Sequence, residues 1–175
     1  LQVCAELGRS DFKRCIVFHS LSKRSNVPGL RSGFVAGDAD IIRQFWLYRT
    51  YHGCAMSPVV QEISAIAWGD EEHVLVNRDL YRQKYTAVID ILAPIMEVDY
   101  PPASFYLWLK TPIIDTEFTK NLFIQQNVTV LPGSFLSRDF NGVNPGQNRI
   151  RIALVASVEE CIEAAKRLRN FMKKQ

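Results

Sequence analysis

Short apolar runs rich in β-branched residues recur along this chain of 175 residues, and stretches with helical spacing separate them; that alternation confines the chain to an α/β fold. "CIVFHS" (15–20) has the length and composition of a buried strand, and "GFVAG" (33–37) is a second short strand candidate. Asp38 can cap a helix through "ADIIRQFWLYRTY" to Gly53, and Ser57 followed by Pro58 starts another that stops at Gly69. From Asp70, the residues Val74, Tyr81, Tyr85, Val88, Ile89 and Leu92 keep helical spacing as far as Pro94, which predicts one long helix. Its acidic start, Asp70, Glu71 and Glu72, suits the helix dipole. The pattern then changes to "SFYLWLK" (104–110), a helix over 115–126, "VTVL" (128–131), a loop rich in Gly and Asn, and "RIRIALV" (149–155). Ser157 and Glu160 have the spacing of a capping box for a last helix. The aromatic residues Phe105, Tyr106 and Trp108 are expected to pack in the core.

Composition narrows the function classes more than it selects one. At 47% hydrophobic residues the chain can bury a core, and 21 Lys plus Arg against 18 Asp plus Glu leave a net charge of +3, too thin to imply nucleic acid or a membrane surface. No apolar stretch approaches the roughly twenty residues of a membrane span. Cys4, Cys15, Cys54 and Cys161 form no C-x-x-C pair, and His19, His52 and His73 form no H-E-x-x-H, so neither a disulfide framework nor a zinc site is expected. Reduced thiols packed as small hydrophobes in a soluble, cytoplasmic protein are the expectation.

The segment between the first two strands, "SLSKRSNVPGLRSG" (20–33), carries the chemistry. Lys23 follows a strand end among Ser20, Ser22, Ser25, Gly29 and Gly33, residues small enough for a ligand to approach the backbone. A lysine amine that is desolvated or set near another cation can act as a nucleophile toward a carbonyl. Arg31 can supply that positive charge and bind a phosphate through its planar fork.

The run Ser20, Leu21, Ser22, Lys23, then Asn26, Val27, Gly29, Arg31 and Gly33 resembles the cofactor-attachment motif of the class I aminotransferases, which depend on pyridoxal 5'-phosphate. Ser32 stands where that family more often has an aliphatic residue. The resemblance implies that Lys23 forms the Schiff base with the cofactor, that Ser20 and Arg31 bind its phosphate, and that Ser22 contacts the same region. A second match, "PGSFLSRDFNGVNPGQNRIRIALV" (132–155), is similar to the family's closing strand, whose arginine binds the substrate carboxylate. That pattern fits Arg151-Ile152-Ala153-Leu154. Arg149, two residues earlier, faces the same side of a strand, and periodicity alone does not separate the two.

Within the family, "SLSKRSNVPGLRSGFVAGD" and the 132–155 segment are most similar to the bacterial succinyldiaminopimelate aminotransferases of lysine biosynthesis. The resemblance spans nearly the whole chain but only the later part of such an enzyme. It implies the end of a large cofactor-binding domain (1–69), a domain-linking helix (70–97) and a small C-terminal α/β domain (98–175), a piece expected to be inactive by itself. A homodimer acting on small amino and keto acids, glutamate among them, is implied too, with "YHGCAMSP" (51–58) near the interface; the distal carboxylate of a succinylated substrate needs a positive or hydrogen-bonding partner, for which Arg24, Arg138 and Arg149 are unranked candidates. Two alternatives stay open: an aminotransferase for aspartate, aromatic amino acids or acylornithine, and the sensor domain of a transcriptional regulator.

Overall fold

A computed structural model of the chain describes residues 1–174, which fall into two compact units, Leu1–Asn77 and Arg78–Gln175.

In the first unit, the helix α1 (Gln2–Glu6) leads into the strand β1 (Ile16–Ser20). After the short helix α2 (Leu21–Arg24) and a 3₁₀ turn at Pro28–Leu30, the strand β2 (Gly33–Gly37) returns antiparallel to β1, from Ser20↔Gly33 to Ile16↔Gly37. Asp38 caps the helix α3 (Ala39–Arg49), accepting from the backbone N–H of Asp40 at 2.8 Å and of Ile41 at 3.1 Å. Its other oxygen accepts from Arg14 N–H at 2.6 Å, so one carboxylate starts the helix and holds the entry to β1. These donors, Arg14 first and then Ile41, hold the Asp38 carboxyl below its ordinary range against the opposing effect of burial. α3 stops at Arg49 rather than at the expected Gly53, because the Arg49 guanidinium turns back onto the carbonyls of His52 and Cys54. The helix α4 (Pro58–Gly69) begins, as its sequence predicts, with Ser57 as cap and Pro58 in its first turn.

The long helix α5 (Glu72–Leu92) runs through the division between the units. In the second unit the strands β3 (Tyr106–Lys110), β4 (Leu131–Pro132) and β5 (Arg149–Ala153) form an antiparallel sheet in the order β3-β5-β4. The helices α6 (Asp115–Gln126) and α7 (Val158–Met172) pack against each other, with Phe118 and Phe171 edge to face at 5.2 Å. Tyr85, Val88 and Leu92 of α5 join Leu107, Leu109, Phe118, Leu122, Ile150 and Leu168 in one buried core. The 128–131 run pairs only at its end: Leu131↔Arg151 and Pro132↔Ile150 are its ladder positions. Val130 is nonetheless buried, so its apolar character serves packing rather than strand length. Alternation along β3 puts Leu107 and Leu109 inward and leaves Trp108 36% exposed on the opposite face, which corrects the expectation that Trp108 is a core residue.

Candidate active site

In the first unit the site residues lie on two successive turns between β1 and β2. Ser20 ends β1 in extended conformation and caps α2, its Oγ accepting from Ser22 N–H at 3.0 Å. A hydroxyl that accepts one bond still has its own proton to donate, so the cap leaves Ser20 able to bind an anion. Lys23 lies in the last turn of α2 with its side chain exposed. Of the two conditions named for an active lysine, desolvation or a neighbouring cation, this unit does not supply the first.

Two backbone bonds tie the lysine turn to the arginine turn: Leu21 N–H donates to Ser32 O at 3.1 Å and Val27 N–H to Leu21 O at 3.5 Å. Leu21 is fully buried beneath them and anchors the loop. Arg31 adopts the left-handed conformation at φ 51°, and its guanidinium donates to Pro28 O at 3.0 Å. Four of its five N–H donors remain for other acceptors. The Ser32 hydroxyl is buried with no hydrogen-bond partner among the described residues. The stretch 20–33 contains Lys23, Arg24 and Arg31 and no acidic residue. The Ser20 and Ser22 hydroxyls and the planar cation of Arg31, with no carboxylate in the stretch, are a donor set that fits a phosphate dianion.

Arg24 differs from its neighbours. Its guanidinium donates to the carbonyls of Ala67 at 2.7 Å, Trp68 at 3.4 Å and Asp70 at 3.3 Å, pairs with Glu71, and lies 5.2 Å from the Trp68 ring centroid. It satisfies the carbonyls at the C-terminal end of α4, where a cation is favoured. Its donors are engaged there, which removes Arg24 from the candidates for a substrate's distal group.

In the second unit the solvent-side face of β3 and β5 carries two cross-strand pairs, Trp108↔Arg151 and Lys110↔Arg149. The arginines part company here. Arg149 borders a hollow of about 430 Å³ with Glu97, Tyr100, Trp108 and Lys110, and Lys110 is paired with Glu97 at 2.8 Å. Arg151 is half-buried, its guanidinium 5.6 Å from the Tyr106 ring centroid and its Nε buried without a partner among the described residues. An orphaned guanidinium nitrogen is costly to bury, and a carboxylate is the group that would satisfy it.

Sequence reasoning missed what holds this face in place. Asp115 is 1% exposed and accepts from Ser134 N–H at 2.9 Å, Ser134 Oγ–H at 2.6 Å and Asn148 N–H at 3.3 Å. It links the start of α6 to the turn after β4 and to the residue before β5. Burial pushes its carboxyl up, but the bonds from Ser134 and Asn148 outweigh that and leave it below its ordinary value. Gly133 and Gly146 meet on the same side: a Cβ on Gly133 would lie 2.3 Å from Gly146 O, and one on Gly146 would lie 2.1 Å from Gly133 O. The only sequence signal for this clasp is the pair of glycines in "PGS" and "NPGQN".

The chain spans about 40% of the length of the curated relatives it matches. It is 31% identical over 161 residues to LL-diaminopimelate aminotransferase of Aquifex aeolicus, covering 89% of this chain and 40% of that one. Among solved structures, an aminotransferase from Neisseria meningitidis superposes with a TM-score of 0.90 at 53% identity, covering 97% of this chain and 43% of that chain. A probable N-succinyldiaminopimelate aminotransferase from Thermus thermophilus gives a TM-score of 0.79 at 28% identity, covering 92% of this chain and 43% of that chain. The lysine turn and the β5 face both lie inside residues 3–168, which match the aminotransferase class I and II family, and the chain belongs to that family.

Proposed function

We propose that this chain is part of an aminotransferase that uses pyridoxal 5'-phosphate to move an amino group between an amino acid, glutamate among the donors, and a keto acid. The cofactor, when bound, supplies the electron sink that the transfer needs. The residues of the first unit do the holding. Ser20 would donate to the phosphate, Arg31 would pair with it, Ser22 would make a contact near the same site, and Lys23 would supply the amine that attaches the cofactor and afterwards carry the proton of the substrate's Cα. In the second unit, Arg151 grips the substrate carboxylate and so orients the Cα hydrogen. The observation that carries this reading is the acid-free stretch 20–33, in which the α2 turn with Ser20 and Lys23 is tied to the segment that carries Arg31 by the Leu21 N–H to Ser32 O bond. The unpartnered Nε of Arg151 supports the choice of Arg151 over Arg149.

For the keto acid we favour N-succinyl-2-amino-6-ketopimelate, in lysine and diaminopimelate biosynthesis. The Thermus protein named for N-succinyldiaminopimelate supports the succinylated substrate, and the curated relatives named for LL-diaminopimelate support the diaminopimelate route. With Arg24 engaged in α4, Arg138 and Arg149 are the arginines left for the distal carboxylate. We further propose that the parent protein works as a cytoplasmic homodimer, with the 51–58 segment near the interface. That segment exposes Tyr51 at 78%.

Borohydride reduction of the intact parent enzyme tests the assignment. Lys23→Ala is expected to abolish trapped cofactor and to slow turnover by at least about 10²-fold, the effect typical of a positioned acid-base group. Cofactor trapped on another lysine would overturn it. Arg151→Lys is expected to raise KM for amino and keto substrates alike, because an ammonium lacks the fork. A larger loss from Arg149→Lys would transfer the role to Arg149.

A further inference from the structure

Two cysteines that lie eleven residues apart in sequence come together in the first unit. Cys4 is on α1 and Cys15 immediately precedes β1, and the Cys4 thiol donates to the Cys15 sulfur at 3.1 Å. Both are half-buried and both are free thiols. The turn between them doubles the chain back, with Phe12 at φ 51° and Arg14 at φ 58°, a left-handed conformation uncommon outside glycine. Its ends are pinned. Arg9 N–H donates to Cys4 O, Cys15 N–H donates to Phe12 O, and Asp38 N–H donates to Cys15 O, each at 2.8 Å.

We infer that Cys4 and Cys15 form a dithiol site that a small, anionic disulfide of the glutathione type oxidises to an intramolecular disulfide. A bonded pair of sulfurs lies at about 2.05 Å, so closure needs about 1 Å of approach between side chains that already touch. The charge around the turn selects the oxidant. A surface hollow there is lined by Arg9, Lys13 and Arg14 with Asp11 as its one acid, which suits a disulfide that carries carboxylates.

The hydrogen bond from Cys4 to Cys15 assigns the order of events. That bond, followed by burial, raises the Cys4 pKa, and it directs the Cys4 S–H at Cys15. Cys15 Sγ, as thiolate, attacks one sulfur of the oxidant. A Cys15 mixed disulfide forms, the oxidant's S–S bond breaks, and the released thiolate takes up a proton. Cys4 then loses its proton to solvent and attacks Cys15 Sγ, expelling the second thiolate, which is protonated in turn. Two protein thiols are oxidised and one small disulfide is reduced to two thiols. The product staples α1 to the root of the strand that leads into the lysine turn.

Oxidised glutathione is the probe, and Cys54→Ser the background, since Cys54 is exposed and Cys161 buried. Thiols are counted after denaturation, and a tryptic digest is weighed without reductant. Cleavage at Arg9, Lys13 and Arg14 separates Cys4 from Cys15 unless a disulfide joins them. Among this chain's own cysteines the expected result is loss of the Cys4 and Cys15 thiols with Cys161 retained, joined Cys4 and Cys15 peptides, and full recovery with reductant. Adding Cys15→Ser is expected to slow loss of the Cys4 thiol at least about tenfold, since the first attacking thiolate is gone. Separate glutathione adducts on Cys4 and Cys15, or thiols that do not react, would overturn the inference.

Discussion

In the unit from Arg78 onward, Phe118, Leu122, Ile150 and Phe171 are fully buried, whereas in the unit up to Asn77 Phe18 is 65% exposed, Trp46 74% and Tyr51 78%. Among the described residues of the first unit, the buried apolar side chains are Leu21 and Val74. Apolar sequence is present in both, so composition does not explain the contrast. The second unit has three strands with α6 and α7 to cover them, and its inward residues close on one another. The first has a two-stranded ladder, an arrangement of marginal stability by itself, and helices whose large side chains face outward. A core is a property of how many layers meet, and the second unit supplies them from its own residues.

The largest expected effect tests that contrast directly. Phe118→Ala removes a fully buried ring and its edge-to-face contact with Phe171, and should destabilise the second unit by about 3–5 kcal/mol. Trp46→Ala deletes a larger side chain from an exposed position and should stay within about 0.5 kcal/mol. Urea denaturation of both variants measures the difference. If Trp46→Ala costs as much as Phe118→Ala, the outward side chains of the first unit are covered in solution and the comparison fails.

A carboxylate in each unit sharpens the comparison further. Asp115 has a folded pKa below its unfolded value of about 3.9, so the stability it adds is fully present above that pH and is lost as pH falls through the lower folded value. Asp115→Asn keeps the shape but cannot accept all three bonds as an anion; it should cost about 1–3 kcal/mol at neutral pH and flatten acid unfolding of the second unit. Asp38 is also held below its ordinary value, by the N–H groups of Arg14 and Ile41, so Asp38→Asn has the same sign. Its effect should stay with α3 and the start of β1, which it joins. Stability measured from pH 7 down to pH 2 checks both. An acid transition that Asp115→Asn leaves unchanged would show that the Ser134 clasp is not maintained in solution.

How much of this was legible follows from which interactions are local. The helix at 115–126 and the capping box at Ser157 stand where the sequence places them, because their signals are periodicity and a cap, both contained in a few residues. β1 and β2 likewise stand where short apolar runs between turn residues place them, but β1 is not the buried strand its composition suggests: none of its residues is buried and Phe18 is 65% exposed, because a two-stranded ladder has no second layer of this unit over that face. The predicted strand at 128–131 pairs only near Leu131, because pairing depends on where β5 lies and not on the run itself. Arg24 is a candidate for a substrate's distal carboxylate by sequence, and only the fold shows that it faces the carbonyls of α4. Asp115 gave no signal beyond its place in a first helical turn, since its donors arrive from 19 and 33 residues away. Trp108 was legible and was misread: strict alternation with Leu107 and Leu109 already sets it on the other face.

The smallest expected effect compares two serine caps of the same chemistry. Ser157 accepts from Glu160 N–H at 3.2 Å while the Glu160 carboxylate accepts from Ser157 N–H at 3.0 Å, and that return bond holds the Glu160 carboxyl below its ordinary range. Ser57 makes one bond, from Val60 N–H at 3.4 Å, with Pro58 already removing one of the donors a cap would serve. Ser157→Ala should therefore cost about 1–2 kcal/mol and Ser57→Ala about 0.5 kcal/mol, the two ends of the range for such caps. Hydrogen exchange in the first turns of α7 and α4 reads each loss where it occurs. α7 buries Cys161, Ala165, Leu168 and Phe171, so its loss should spread to the second unit as a whole, while that at α4 should remain in its first turn. A Ser57→Ala loss that spread through the first unit would mean that this unit, despite its open apolar faces, unfolds as cooperatively as the closed one.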